Sequence, residues 1–182
     1  MGLNISTTIL EYLNEKEDTK TELILYHGSG ENKPIQKFHN NQFYTINDYI
    51  ACNYAENNGG LVYKVKASIK KTLELKGNYV RLGGESMKTI EPKQYNLEYD
   101  LIKKLYGNSA LEFWTRHGFN PSPANVFSGD YTPLINWAKE NGYDSVKFFD
   151  ESFDTFVRDI TYIIFNGDDI KILEINEPNC SS

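Results

Sequence analysis

"LILYHGSGENKPI" (residues 23–35) sets an apolar run directly before a histidine, a glycine and a serine. Leu23, Ile24 and Leu25 read as a buried strand, and Gly28 with Gly30 ends it. His27 therefore stands at the lip of a strand with a glycine and a hydroxyl beside it. A polar loop containing Pro34 follows.

Upstream, Ser6-Thr7-Thr8 before Ile9, Leu10 and Leu13 predicts a short capped helix, and the charged "NEKEDTKTE" its end, so residues 1–20 read as a helix and linker. Downstream, "FYTI" (43–46) is a short aromatic strand. "NDYIACNYAENNGG" (47–60) is a helix capped by Asn47 or Asp48, with Ile50, Ala51, Tyr54 and Ala55 at helical spacing. "LVYKVKASI" (61–69) alternates with the period of a half-buried strand, and "KTLEL" (71–75) continues it. Residues 76–95 are Gly-rich and irregular. Two helices, 95–107 and 109–118, precede a loop (119–131) punctuated by two prolines. Thr132-Pro133 opens another helix that Gly142 closes. "DSVKFF" (144–149) is a strand, "DESFDTFVRD" (150–159) an acidic loop, and "ITYIIF" (160–165) and "IKILEI" (170–175) are the last strands. Strands, then helices, then strands again give an α+β class in one domain over residues 1–182.

The chain is 40% hydrophobic and 24% charged, with net charge −6. An acidic balance argues against a protein that grips a phosphate backbone, which requires clustered Lys and Arg. The four lysines of "KVKASIKK" (64–71) have the spacing of a solvated strand face. Thirteen Tyr, 10 Phe and 2 Trp give an aromatic-rich chain, suited to a tyrosine-rich core or to a cleft with flat walls. Cys52 and Cys180 cannot form a metal site alone and imply no disulfide framework, so no metal is expected. Residues 1–20 lack the pattern of a signal peptide, and no stretch approaches the roughly 18 apolar residues of a membrane span. The expected place of work is the cytoplasm, with no membrane partner.

Taken in order, "YHGS", "FYTINDYIACNYA", "VYKV", "GYDSV" and "YIIFNGDDIKIL" form a pattern. It resembles the ADP-ribosyltransferase superfamily, in its diphtheria-toxin-like and poly(ADP-ribose) polymerase-like branch, over residues 23 to 173. Members of that branch carry H-G-S, then two aromatic residues with Thr or Ala before a helix ending in Tyr, then a similar terminal strand run. The resemblance implies a fold of two small, mostly antiparallel sheets packed together, with flanking helices and an NAD cleft between them. It implies that NAD is the substrate, that His27 bonds a ribose and Gly28 pairs through its backbone with the nicotinamide carboxamide, and that Ser29 lies near the ribose. Phe43 or Tyr44, which point to opposite sides of one strand, and Tyr54 would stack the nicotinamide ring. Thr45 completes the motif and counts among the NAD contacts. Where the family places a Glu before its terminal strand run, this chain has Thr161, which carries no charge. Asp150, Asp159 and Glu151, in that order, are the carboxylates that could replace it; "GYDSVKFFDE" is similar to a run in a small phage anti-CRISPR ADP-ribosyltransferase that uses an aspartate at the corresponding place. The implied activity is mono-ADP-ribosyl transfer from NAD to a macromolecule, a host protein before a nucleic acid, by a phage or bacterial effector. An NAD glycohydrolase toxin and a non-catalytic NAD- or partner-binding module stand as alternatives.

Overall fold

The computed structural model describes residues 20–75, 101–108, 130–151 and 158–180, with residues 149–151 and 158–159 followed by backbone alone. The predicted helices at 6–13 and 109–118, and residues 95–100 of the third, lie outside them. The described elements are strands β1 (Thr21–Gly28), β2 (Gln42–Thr45), β3 (Val62–Ile69), β4 (Thr72–Glu74), β5 (Ser145–Glu151), β6 (Arg158–Ile164) and β7 (Ile170–Asn176). The helices are α1 (Asp48–Asn58), α2 (residues 101–108) and α3 (Thr132–Glu140), with a 3-10 turn at Gly167–Asp169.

The class is α+β, but the strands form one mixed sheet, ordered β4-β5-β6-β2-β1-β3-β7, rather than the two sheets expected. Only β4 and β5 run parallel. The two halves of the sheet meet through β2. Four residues of β2 pair with β6, from Gln42↔Ile164 to Thr45↔Thr161, whereas β2 and β1 pair at a single position, Tyr26↔Thr45. One residue pair is what makes two sheets into one.

Cross-strand register assigns the faces. Leu73, Val146 and Ile163 lie on one face, with Phe148, Thr161 and Thr45 in the next row. Here α2 and α3 pack Leu101, Ile102, Leu134, Ile135 and Ala138 onto the β4-β5-β6 half. On the same face, α1 covers Gly28 and Val62 through Ala51, Cys52 and Ala55. The opposite face of the other half carries Leu25, Tyr44, Tyr63, Val65, Ala67, Ile69, Tyr162 and Ile164, with Phe38 over them. These residues alternate along each strand with solvated ones, among them Lys64 and Lys66, which pair with Glu174 and Glu22.

Local chemistry explains the ends. Asn47, not Asp48, caps α1: its Oδ1 accepts from the Tyr49 amide at 2.9 Å, and Gly59 closes the helix with φ 68°. At α3 the cap position falls on Tyr131 rather than the expected Thr132, and Asp130 before it accepts from the Thr132 amide through Oδ1 at 2.9 Å. The acidic loop expected at 150–159 is shorter than read, because Asp150↔Asp159 and Glu151↔Arg158 extend the β5–β6 ladder. Cys52 and Cys180, too few for a disulfide framework to be inferred, are bonded to each other across 128 residues of sequence. The sequence shows two cysteines far apart; the fold brings the chain's end back onto α1.

Candidate functional site

The single pairing between β1 and β2 creates the site. Ser29 donates its amide to Leu61 O at 2.8 Å, so Ser29–Leu61 is a hydrogen-bonded position of the β1–β3 ladder. In an antiparallel ladder such positions alternate, so Gly28 and Tyr26 turn their N–H and C=O away from β3 and toward β2. The same count applies to the other wall. Ile46 donates to Ile160 O at 3.2 Å, so Thr45 and Phe43 turn their backbone groups away from β6 and toward β1. Tyr26 and Thr45 meet. The next such pair, Gly28 with Phe43, does not form. The strands diverge there, and the backbone groups of Gly28 and Phe43 face an opening.

His27 stands in that opening. Its Nδ1 lies 2.8 Å from the Phe43 carbonyl oxygen, and because a carbonyl only accepts, Nδ1 carries the proton. Burial pushes the imidazole below the ordinary histidine value of 6.5, with the hydrogen bond to Phe43 working the other way. The ring is therefore neutral at pH 7, and Nε2 keeps a free lone pair. Phe38 meets it edge-on at 5.1 Å between centroids, and Tyr44 and Tyr63 lie 5.5 and 6.2 Å away. The ring is half-buried and rests on an aromatic floor.

The opening leads into a cleft of about 580 Å³. It gathers His27, Gly28, Ser29, Phe43, Tyr44, Thr45 and Tyr54, every residue the sequence assigned to NAD. Their parts differ. Tyr44 is 2% exposed and belongs to the core, and burial raises its hydroxyl pKa. Phe43 is 39% exposed on the opposite face, with its ring edge-on to Tyr131 at 5.0 Å. Of the two, Phe43 is the aromatic available to a ligand. Tyr54, on α1, is exposed and faces the cleft with Ile50 and Ala51, four and three residues before it. The Ser29 and Thr45 hydroxyls accept from the amides of Glu31 (3.0 Å) and Asn47 (3.2 Å), tying down the turn after β1 and the entry to α1.

The packing of α1 gives Gly28 a reason internal to the fold. A Cβ there would fall on the Ala51 carbonyl oxygen and lie 3.1 Å from the Ala55 amide nitrogen. The missing side chain lets α1, rather than a ligand ring, rest against β1. Gly60 does the same for the return strand, since a Cβ there would strike the Ser29 carbonyl.

Thr161 is buried beside the cleft, directly opposite Thr45. The side chains of Asp150, Glu151 and Asp159 lie outside what the structure describes. Along β6, Asp159 stands two residues before Thr161, and it pairs with Asp150 in the backbone ladder. Among the described residues the acidic one that lines the cleft is Glu31, joined by Asn41 and Gln42, none of which the sequence singled out, and by Gly30. Ile50 and Ala51 were legible as neighbours of Tyr54 one helical turn away; Gln42 carried no such signal. Among the described residues no group of three or more His, Cys, Asp and Glu is placed to hold a metal ion.

No family model and no curated protein matches the chain. Among solved structures, one described as an anti-CRISPR protein aligns with 86% of this chain and 98% of its own, at 13% identity and TM-score 0.43. No helix among the described residues is long and apolar enough to cross a membrane.

Proposed function

We propose that the cleft binds NAD and that the protein transfers ADP-ribose from it to a macromolecular acceptor, a host protein in the case of a phage or bacterial effector. The observation that carries this reading is the interrupted β1–β2 ladder. It turns the N–H and C=O of Gly28 together into the opening, and a primary carboxamide such as that of nicotinamide offers an acceptor and a donor in matching positions. Phe43 and Tyr54 supply aromatic faces for a flat cationic ring. Neutral His27 offers an acceptor lone pair to a ribose hydroxyl.

Cleavage of the nicotinamide–ribose bond develops positive charge on the sugar, which a nearby carboxylate stabilises. Asp150 is the residue we assign to that role, with Asp159 second and Glu151 third. The backbone ladder brings the two aspartates to one paired position, Asp150 on β5 with Asp159 on β6. Thr161 favours the second reading, a module that binds NAD without turnover, because the position nearest the cleft on β6 is uncharged. Incubation with NAD labelled in its adenylate portion and a host lysate separates the readings. Transferase activity leaves label on an acceptor, located by mass spectrometry. Nicotinamide release with no labelled acceptor is glycohydrolysis, and NAD binding without release is the module.

A further inference from the structure

Among the described residues, the helix that forms one wall of the cleft is held in place by little apolar surface. Toward the cleft, α1 presents Ile50, Ala51 and Tyr54. Toward the sheet it buries only Ala51, Cys52 and Ala55, against Val62, with Tyr26 and Cys180 packed alongside. These are small side chains, and Cys180 is joined to that cluster covalently, through Cys52. On the far side of α1 a groove of about 970 Å³ runs between Tyr49 and Cys52 of the helix, Lys64 of β3, and the chain's end at Pro178 and Cys180. Residues 177–180 adopt no regular secondary structure. The chain's end is thus fastened to the back of the wall whose front is the cleft.

We infer that the Cys52–Cys180 disulfide is a redox clasp: bonded, it holds α1 as a rigid wall of the cleft, and reduction by a dithiol loosens α1 and weakens ligand binding. The thiolate of the dithiol attacks Sγ of Cys180, which is more exposed than Cys52, and the sulfur–sulfur bond breaks with the electron pair leaving on Cys52. The second thiol of the reductant then displaces Cys180 and closes the reductant's own disulfide. Two electrons pass to the protein, and two protons end on the Cys52 and Cys180 thiols. The loosening of α1 stands apart from the identity of the ligand; the consequence for affinity rests on the NAD reading.

Hydrogen exchange on the full chain, oxidised and after treatment with dithiothreitol, tests the clasp. The expected result is at least tenfold faster exchange in residues 48–58 of the reduced protein, with residues 160–165 unchanged, reversed on reoxidation. Cys180→Ser, which alters only the chain's end, reproduces the reduced state without any reductant. In calorimetry NAD affinity falls at least fivefold on reduction, and in Cys180→Ser it is weak and independent of dithiothreitol. Equal exchange of 48–58 in the two states overturns the clasp, as do free thiols in air-oxidised protein by peptide mapping. Equal NAD affinity in both states despite a loosened α1 overturns its control of the site. A loosened α1 in a protein that binds NAD in neither state keeps the clasp and removes the NAD reading.

Discussion

His27 joins three functions in one side chain: it packs on Phe38, Tyr44 and Tyr63, bridges to the Phe43 carbonyl, and leaves Nε2 available. Its burial sets a pH dependence whose sign follows directly. The folded pKa lies below 6.5, so on acidification the unfolded chain takes the proton first. The stability from a neutral His27 is complete above the ordinary histidine value and is lost as pH falls below it. Chemical unfolding followed from pH 8 to 5 should give a flat stability near neutrality and a decline on the acid side that His27→Gln lacks. His27→Ala should abolish NAD turnover and, by removing a half-buried ring, cost about 2 kcal/mol of stability while the chain still folds. Turnover retained in the folded variant would remove the ligand role. Tyr54 separates stacking from charge. It is exposed, so Tyr54→Ala should leave stability nearly unchanged and weaken NAD binding by about 1–2 kcal/mol, measured calorimetrically.

At the scale of elements, the site depends on α1 lying close on β1. Gly28→Ala places a methyl group on the Ala51 carbonyl, so the helix must shift; a loss of about 2–3 kcal/mol with loss of NAD binding is expected. Gly30→Ala, where the nearest atom is a side-chain carbon at 3.4 Å, should be tolerated and serves as the control. The β5–β6 pair carries the catalytic proposal. Asp150→Asn keeps shape and removes charge, so turnover should fall at least about a hundredfold with NAD affinity little changed, whereas Asp159→Asn should lose less than about tenfold. Reversed results would move the acid to β6, and no effect in either would favour the binding module. Apolar content revealed β1, β6 and β7, and alternation revealed β3, whose Tyr63, Val65, Ala67 and Ile69 are buried. Neither revealed the ends of β5 and β6, where Asp150, Glu151, Arg158 and Asp159 continue the ladder with charged side chains in place of apolar ones. Composition marks such residues as a loop; backbone pairing is indifferent to their charge.

For the whole molecule, the Cys52–Cys180 bond closes most of the chain into a loop, with a sequence separation of 128. Constraining an unfolded loop of this length is worth about 4–5 kcal/mol in the chain-entropy account. Reduction should therefore lower the melting temperature by about 10 °C or more for a chain of this size, a difference that scanning calorimetry with and without reductant resolves. A shift of under about 2 °C would mean that the bond constrains little.

The sequence by itself determined the α+β class and the positions of the described strands and helices, while the set of residues from His27 to Tyr54 that gather around one cleft followed from the resemblance of its motifs. The class and the element positions are local features: apolar period, capping residues and turn glycines act within a few positions of the chain. Only the tertiary structure decided that Tyr44 turns into the core while Phe43 faces out, that Gly28 is bare for the sake of a helix, and that two expected sheets are one, joined at Tyr26 and Thr45. It also decided that the chain's end returns to Cys52. Each of these depends on which side of a strand meets a partner far away in sequence, and no spacing along the chain encodes that.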